Sequence, residues 1–266
     1  MSVSGGCLQS NNVSRDVLPY MSLDGHIALI TGAGQGIGRA CAVTFASKGA
    51  DLVLLDKNPE TLGEIVHEAA GMGRKVMSDV LDLTELERLP EVAEKARKMG
   101  LIDILVNNAG FDRPGTTAKI DKKAFEEVLG IHVTVPLTLI QIFLPDMRAA
   151  GWGRIVNVGS IYGITGGKGE VAYSTAKAGI IGLTKSVAKE CGQDGVTVNA
   201  VLPGLTRTPT IEAFMDERYK EAIIASTPLG RMAEPEEVAN VIAFLASDEA
   251  SFITGIALPV CGGWAV

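Results

Sequence analysis

The stretch Ile27-Ala28-Leu29-Ile30-Thr31-Gly32-Ala33-Gly34-Gln35-Gly36-Ile37-Gly38 decides the fold. An apolar run, His26–Thr31, enters a glycine-rich turn, and a helical segment leaves it from Arg39. Glycines let the backbone turn sharply and approach a diphosphate with no Cβ in the way. The first turn of the helix adds unpaired N–H groups and a partial positive charge. A glycine-rich turn without a ligand would show the same letters; its place between strand and helix argues for nucleotide binding.

Working outward, apolar strand candidates recur at Asp51–Leu55, Lys75–Ser78, Ile102–Val106, Arg154–Val158, Thr197–Val201 and Ile256–Val260. Helical patterns lie between most of them. In Thr84–Lys98, Leu86, Leu89, Val92, Ala93 and Ala96 recur at three- and four-residue spacing. Asn58-Pro59 reads as an N-cap followed by proline at the first helical position. Alternating strands and helices predict a doubly wound, Rossmann-type parallel sheet of about seven strands with helices on both faces. The expected organisation is a flexible extension over residues 1–22 and one α/β domain over 23–266. Chemistry should sit just after the strands, at their carboxyl ends.

Asp56 ends the second run, 18 residues after Gly38. A carboxylate there accepts hydrogen bonds from both adenosine ribose hydroxyls and repels a 2′-phosphate, which favours NAD over NADP. Position 35 is Gln, so no cation there recruits a 2′-phosphate, although Lys57 adjoins Asp56. Tyr173 and Lys177 stand four residues apart and share a helix face. A nearby ammonium should lower the phenol pKa and make Tyr173 a proton carrier. Ser160 follows the strand Arg154–Val158, where its hydroxyl would face the crevice and hold a substrate oxygen. Each could instead be an ordinary surface pair or a turn serine.

Together these motifs resemble the short-chain dehydrogenase/reductase family, from about Leu23 to Val266. The matching segments are Thr31–Gly38, Asp82-Leu83-Thr84, Asn107-Asn108-Ala109-Gly110, Ser160, Tyr173-x-x-x-Lys177, and Pro203-Gly204 with Thr208. The resemblance implies a cofactor site formed by Gly32, Gln35, Gly36, Ile37, Gly38, Asp56, Asp82, Leu83, Asn108, Ala109 and Gly110. In that picture Asp82 meets the adenine, and Asn107 to Gly110 close over the adenosine ribose. Pro203, Gly204, Leu205, Thr206 and Thr208 would seat the nicotinamide. Tyr173 would be the acid/base, Ser160 would polarise the substrate oxygen, and Lys177 would bind the nicotinamide ribose. His132 stands where the family carries an asparagine whose backbone carbonyl holds a relay water. It would either pack there or, since imidazole titrates near neutral pH, join the relay. Cys261 stands where the family often has aspartate.

The implied activity is hydride transfer between NAD(H) and a secondary alcohol or ketone. Two other readings stay open: an NADPH-dependent 3-oxoacyl-type carbonyl reductase, and a non-catalytic NAD(H) sensor. The substrate loop is expected over about 205–231, with Tyr162 as a further substrate-contacting candidate. By sequence, Phe111, Asp112, Arg113, Ile161 and Glu170 read either as pocket borders or as ordinary surface or packing residues.

Net charge is −7 with a pI near 5.1, and no basic stripe suggests nucleic acid. The four cysteines lack metal spacing, so no metal is expected and the thiols fit a reducing compartment. Residues 1–20 contain no apolar leader, and a cytoplasmic location is expected. Val128–Pro145 contains no Asp, Glu, Lys or Arg, but its His132, Thr134, Thr138, Gln141 and two prolines argue for a protein-buried helix over a membrane span. The resemblance implies pairing through that helix and through the C-terminal strand, in a homotetramer.

Overall fold

The structure, a computed structural model, describes residues 21–265. Most of the expected extension therefore lies outside the described residues. Met21 is tied down by its backbone N–H, which donates to Glu249 Oε1 at 2.6 Å. Leu23 is fully buried.

In chain order the elements are β1 (Ile27–Thr31), α1 (Gly36–Ser47), β2 (Asp51–Asp56), α2 (Pro59–Gly71), β3 (Val76–Val80), α3 (Leu89–Arg97) and β4 (Ile104–Asn107). They continue as α4 (Lys122–Leu129), α5 (Val135–Ala150), β5 (Gly153–Val158), α6 (Tyr162–Thr165), α7 (Val171–Cys191) and β6 (Val196–Pro203). Last come α8 (Pro209–Phe214), α9 (Glu217–Ser226), α10 (Pro235–Leu245) and β7 (Ala257–Val260). The seven strands form one parallel sheet in the order β3-β2-β1-β4-β5-β6-β7. The chain reverses direction across the sheet between β1 and β4, which opens a crevice at their carboxyl ends.

One face of the sheet packs Cys41, Phe45, Ile65 and Ile242 from α1, α2 and α10. The other packs Val92, Leu139, Phe143 and Val187 from α3, α5 and α7. The strands are buried on both faces, which is why they read as apolar runs and not as alternation. The Asn58 cap is as expected: its Oδ1 accepts from the Glu60 and Thr61 backbone N–H groups at 2.9 and 3.2 Å.

Two helices depart from the pattern, both because of proline. The expected helix over 84–98 starts only at Leu89, after a short 3₁₀ turn at Leu86–Arg88. Pro90 offers no N–H and would crowd the carbonyl four residues back, so it fits only in the first turn. The expected helix over 128–145 lies within one helical span, Lys122–Ala150, and carries a π turn at Gly130–Thr134, where the Val135 N–H reaches back to the Gly130 carbonyl. Pro136 follows, so the His132 carbonyl receives no bond from its usual i+4 donor. The span Lys122–Ala150 is apolar and long enough to cross a membrane, with mean hydropathy 1.8 over its most apolar window. Its Leu139, Ile140, Phe143, Leu144 and Met147 are nonetheless buried in the protein.

Candidate active site

The turn between β1 and α1 is shaped by two close approaches. Gly32 has φ +64° and passes so near Ala109 that a Cβ would stand 2.9 Å from its Cα. A Cβ on Gly38 would fall 2.0 Å from the Gly32 carbonyl oxygen, so only glycine lets α1 start against the turn. Gln35 precedes α1 without a capping side-chain hydrogen bond, and no acidic residue sits in the first turn. The leading N–H groups thus carry no competing anion, the condition for holding a phosphate.

Thr31 pins the β4 loop to this turn. Its Oγ1 accepts from the Asn108 and Ala109 N–H groups at 2.9 and 3.0 Å. The Asn108 side-chain amide donates to the carbonyls of Thr31 and Gly32 at 2.9 and 3.1 Å. Asn107 turns the other way and donates to Asn157 Oδ1 at 2.8 Å, and Asn157 donates to Thr184 Oγ1 at 2.9 Å. Its side chain ties β4, β5 and α7 together inside the protein, in place of the ribose contact the resemblance implied.

A cavity of about 420 Å³ runs along the carboxyl ends of the strands. It is bordered by Gly32, Gln35, Gly36, Ile37, Asp56, Asp82, Leu83, Asn108, Ala109, Gly110, His132, Ser160, Tyr162, Tyr173, Lys177, Pro203, Gly204, Leu205, Thr206 and Thr208. Gly38 stays behind the wall, where it packs on Gly32, and Asn107 points away from it. Phe111, Asp112, Ile161 and Glu170 border it as well, whereas Arg113 is exposed beside it. Ile131, Trp264 and Lys57 were not singled out as its walls; nothing in the sequence around Trp264 marks it as one.

Asp56 closes one end. Its Oδ2 accepts from the Gly34 N–H at 2.8 Å and its Oδ1 from the Asn58 N–H at 2.9 Å, which fixes the carboxylate while leaving lone pairs for further donors. Asp82 accepts from the N–H and hydroxyl of Thr84 at 2.9 and 2.7 Å, and these bonds hold its carboxyl below the usual range.

At the other end stand Ser160, Tyr173 and Lys177. Ser160 Oγ accepts from the Tyr162 N–H at 3.2 Å and lies within hydrogen-bond reach of the Tyr173 phenol. Lys177 is buried and donates to the Val158 carbonyl at 2.6 Å, with Nζ 5.4 Å from the centre of the Tyr173 ring. Burial pushes the lysine down to about 7 and the phenol up to about 12, the Ser160 bond opposing the latter. The expectation that Lys177 lowers the Tyr173 pKa is therefore not met by the protein groups alone, because desolvation of the phenolate outweighs the Ser160 bond and Lys177 adds no resolved lowering.

His132 is buried in the π turn. Its Nε2 lies 2.9 Å from the Phe111 carbonyl and therefore carries the proton, and its ring meets Tyr173 edge-on at 5.4 Å. Burial, then the Lys177 charge, hold it well below the usual histidine pKa. The imidazole is neutral at neutral pH, which corrects the reading of His132 as a titrating relay group. Its side chain braces the loop after β4.

A family profile described as enoyl-(acyl carrier protein) reductase matches residues 32–265. The 3-oxoacyl-(acyl-carrier-protein) reductase of Thermotoga maritima is 41% identical over 244 residues, covering 91% of this chain and 99% of its own. A (2S)-(R)-hydroxy(phenyl)methylsuccinyl-CoA dehydrogenase subunit of Thauera aromatica is 35% identical over 244 residues, with 91% and 98% covered. Among solved structures, a 3-oxoacyl (acyl-carrier-protein) reductase from Agrobacterium tumefaciens C58 with NADP bound has a TM-score of 0.86 at 30% identity, covering 91% of this chain and 95% of that one. With the sheet order, the turn after β1 and the Ser160, Tyr173 and Lys177 cluster already in place, these similarities show that the chain belongs to the short-chain dehydrogenase/reductase family of oxidoreductases.

Proposed function

We propose that this oxidoreductase transfers a hydride between NAD(H) and a secondary alcohol or ketone. The observation that carries the cofactor reading is Asp56, whose fixed carboxylate borders the cavity where an adenosine ribose would lie. The glycine-made cradle and the open start of α1 fit the diphosphate. Asp82, Leu83 and Asn108 to Gly110 would line the adenosine half, and Pro203 to Thr206 with Thr208 the nicotinamide half. When bound, the nicotinamide supplies the hydride-accepting carbon and, oxidised, a positive charge.

Within this reading Ser160 accepts from the Tyr162 N–H and donates its O–H to the substrate oxygen. Tyr173 takes the proton from the alcohol, or returns it to the carbonyl. Lys177, anchored on Val158, supplies positive charge beneath the phenol. His132 contributes through its backbone carbonyl, whose i+4 donor Pro136 removes, and not as an acid or base.

A second reading, an NADPH-dependent 3-oxoacyl thioester reductase, is supported by the names of the relatives and the NADP-bound neighbour. Lys57, which borders the same end as Asp56, would be its cation for a 2′-phosphate. The relatives speak for this reading on substrate and Asp56 speaks against it on cofactor. Titration of the purified protein with NADH and NADPH, followed by nicotinamide fluorescence, separates the two. Tighter NADH binding supports the first reading, and tighter NADPH binding replaces it with the second.

A further inference from the structure

The substrate half of the cavity combines surface of two characters. Tyr162, Ile211, Met215 and Trp264 present apolar and aromatic surface. Tyr162 and Trp264 meet edge to face at 5.5 Å. Two carboxyls, Asp112 and Glu170, carried by different loops, border the same space. The loops are stitched together: the Gly115 N–H donates to the Gly169 carbonyl at 2.7 Å, and Gly115 bridges to Glu170. A Cβ on Gly167 would stand 2.9 Å from Glu170 Cγ, so the turn before Glu170 leaves a slot that only glycine provides.

Asp112 and Glu170 both border the cavity, and among the described residues no N–H or O–H reaches the buried Glu170 Oε2. Burial, then Asp112, push the Glu170 carboxyl up to about 8. Arg113 does not neutralise it; its guanidinium lies over the Phe111 ring at 4.7 Å and faces Glu127 at 3.5 Å. A buried carboxyl oxygen without a donor is costly unless a ligand supplies one.

We infer that Asp112 and Glu170 form a specificity-determining subsite for a substrate that carries a hydrogen-bond donor, hydroxyl or ammonium, beside its reacting carbon and an aliphatic or aryl body against the Tyr162–Trp264 wall. A carboxylate or phosphate at the donor's position is repelled. The inference rests on the reading that Ser160 and Tyr173 hold the reacting oxygen.

The test uses four secondary alcohols of equal length ending in methyl, hydroxyl, ammonium or carboxylate. KM is measured with NAD⁺ for the wild type, Glu170→Gln and the double variant Asp112→Asn/Glu170→Gln. Calorimetric binding of the same alcohols in the presence of NADH requires no turnover. The wild type should prefer a donor-ended alcohol over the methyl-ended one by about tenfold or more and reject the carboxylate. The double variant should bring these ratios toward one and admit the carboxylate. Retention of selectivity in Glu170→Gln identifies a hydroxyl, since an amide both donates and accepts; its loss identifies an ammonium. Equal KM and equal binding for all four alcohols in the wild type overturn the subsite. Selective binding without turnover overturns the hydride-transfer reading and leaves the subsite standing.

Discussion

Substituting Gly110 by alanine tests how His132 is held. A Cβ at that position would stand 2.0 Å from His132 Cε1 and 2.7 Å from Nδ1, whereas ordinary contact begins at 3.4 Å. The ring must therefore retreat by more than an ångström. It is 5% exposed and its Nε2 is engaged with the Phe111 carbonyl, so it has nowhere to go without losing that bond. Overpacking a core typically costs about 1–3 kcal/mol. The lost hydrogen bond adds roughly 0.5–1.5 kcal/mol, for a total of about 2–4 kcal/mol. At about 2–4 °C per kcal/mol for a chain of this size, the unfolding midpoint should fall by roughly 4–16 °C. In a His132→Asn background the ring is absent, and the same alanine should cost under about 1 kcal/mol. The assay is thermal unfolding of the four proteins at one concentration. Equal losses in both backgrounds, or a Gly110→Ala protein as stable as the wild type, would refute the described packing of His132.

Asp56→Ser should reverse the preference between NADH and NADPH: a unit charge about 4 Å from a carboxylate is worth roughly 1–4 kcal/mol between fully solvated and partly shielded conditions. Fluorescence titration reads this directly, and an unchanged ratio removes Asp56 from the cofactor argument. Glu170→Gln should be more stabilising at pH 8 than at pH 5. The folded carboxyl is raised to about 8 from 4.5, so the folded state holds a proton the unfolded state has lost, and wild-type stability falls as pH rises across that window. Midpoints measured at both pH values should diverge; parallel shifts would contradict the raised carboxyl. Lys177 is pushed the other way, down to about 7 from 10.5. It contributes stability that rises between those pH values, and Lys177→Met should flatten that rise in midpoints measured at about pH 7 and pH 10.

The alternation of strands and helices was legible in the sequence because buried parallel strands are continuous apolar runs, and Gly32, Gly36 and Asp56 announced the crevice. The cluster of Ser160, Tyr173 and Lys177 was legible through helix spacing and position after a strand. The direction of the Tyr173 shift was not, because spacing reports that a lysine is near but not how deeply both groups are buried. His132 misled for the same reason: an exposed imidazole titrates near neutral pH and a buried one beside Lys177 does not. Pro90 and Pro136 carried the signal for the late start of α3 and the π turn, and apolar periodicity overrode it. Asn107 reads like its neighbour Asn108, yet the alternation of a strand sends one side chain into the protein and leaves the next at the crevice. Trp264 and the Asp112–Glu170 pair depend on loops meeting in space, which no local pattern encodes.

The central claim is most directly tested by following the hydride itself. A secondary alcohol deuterated at its carbinol carbon is incubated with NAD⁺ and the protein, and the reduced cofactor is examined by mass spectrometry and proton NMR. Deuterium should appear at C4 of the nicotinamide on one face, and Tyr173→Phe should slow its appearance by about 10²–10⁴-fold without weakening NADH binding. Transfer that proceeds unchanged in Tyr173→Phe, or saturable NADH binding with no deuterium transfer from any alcohol, would contradict the account.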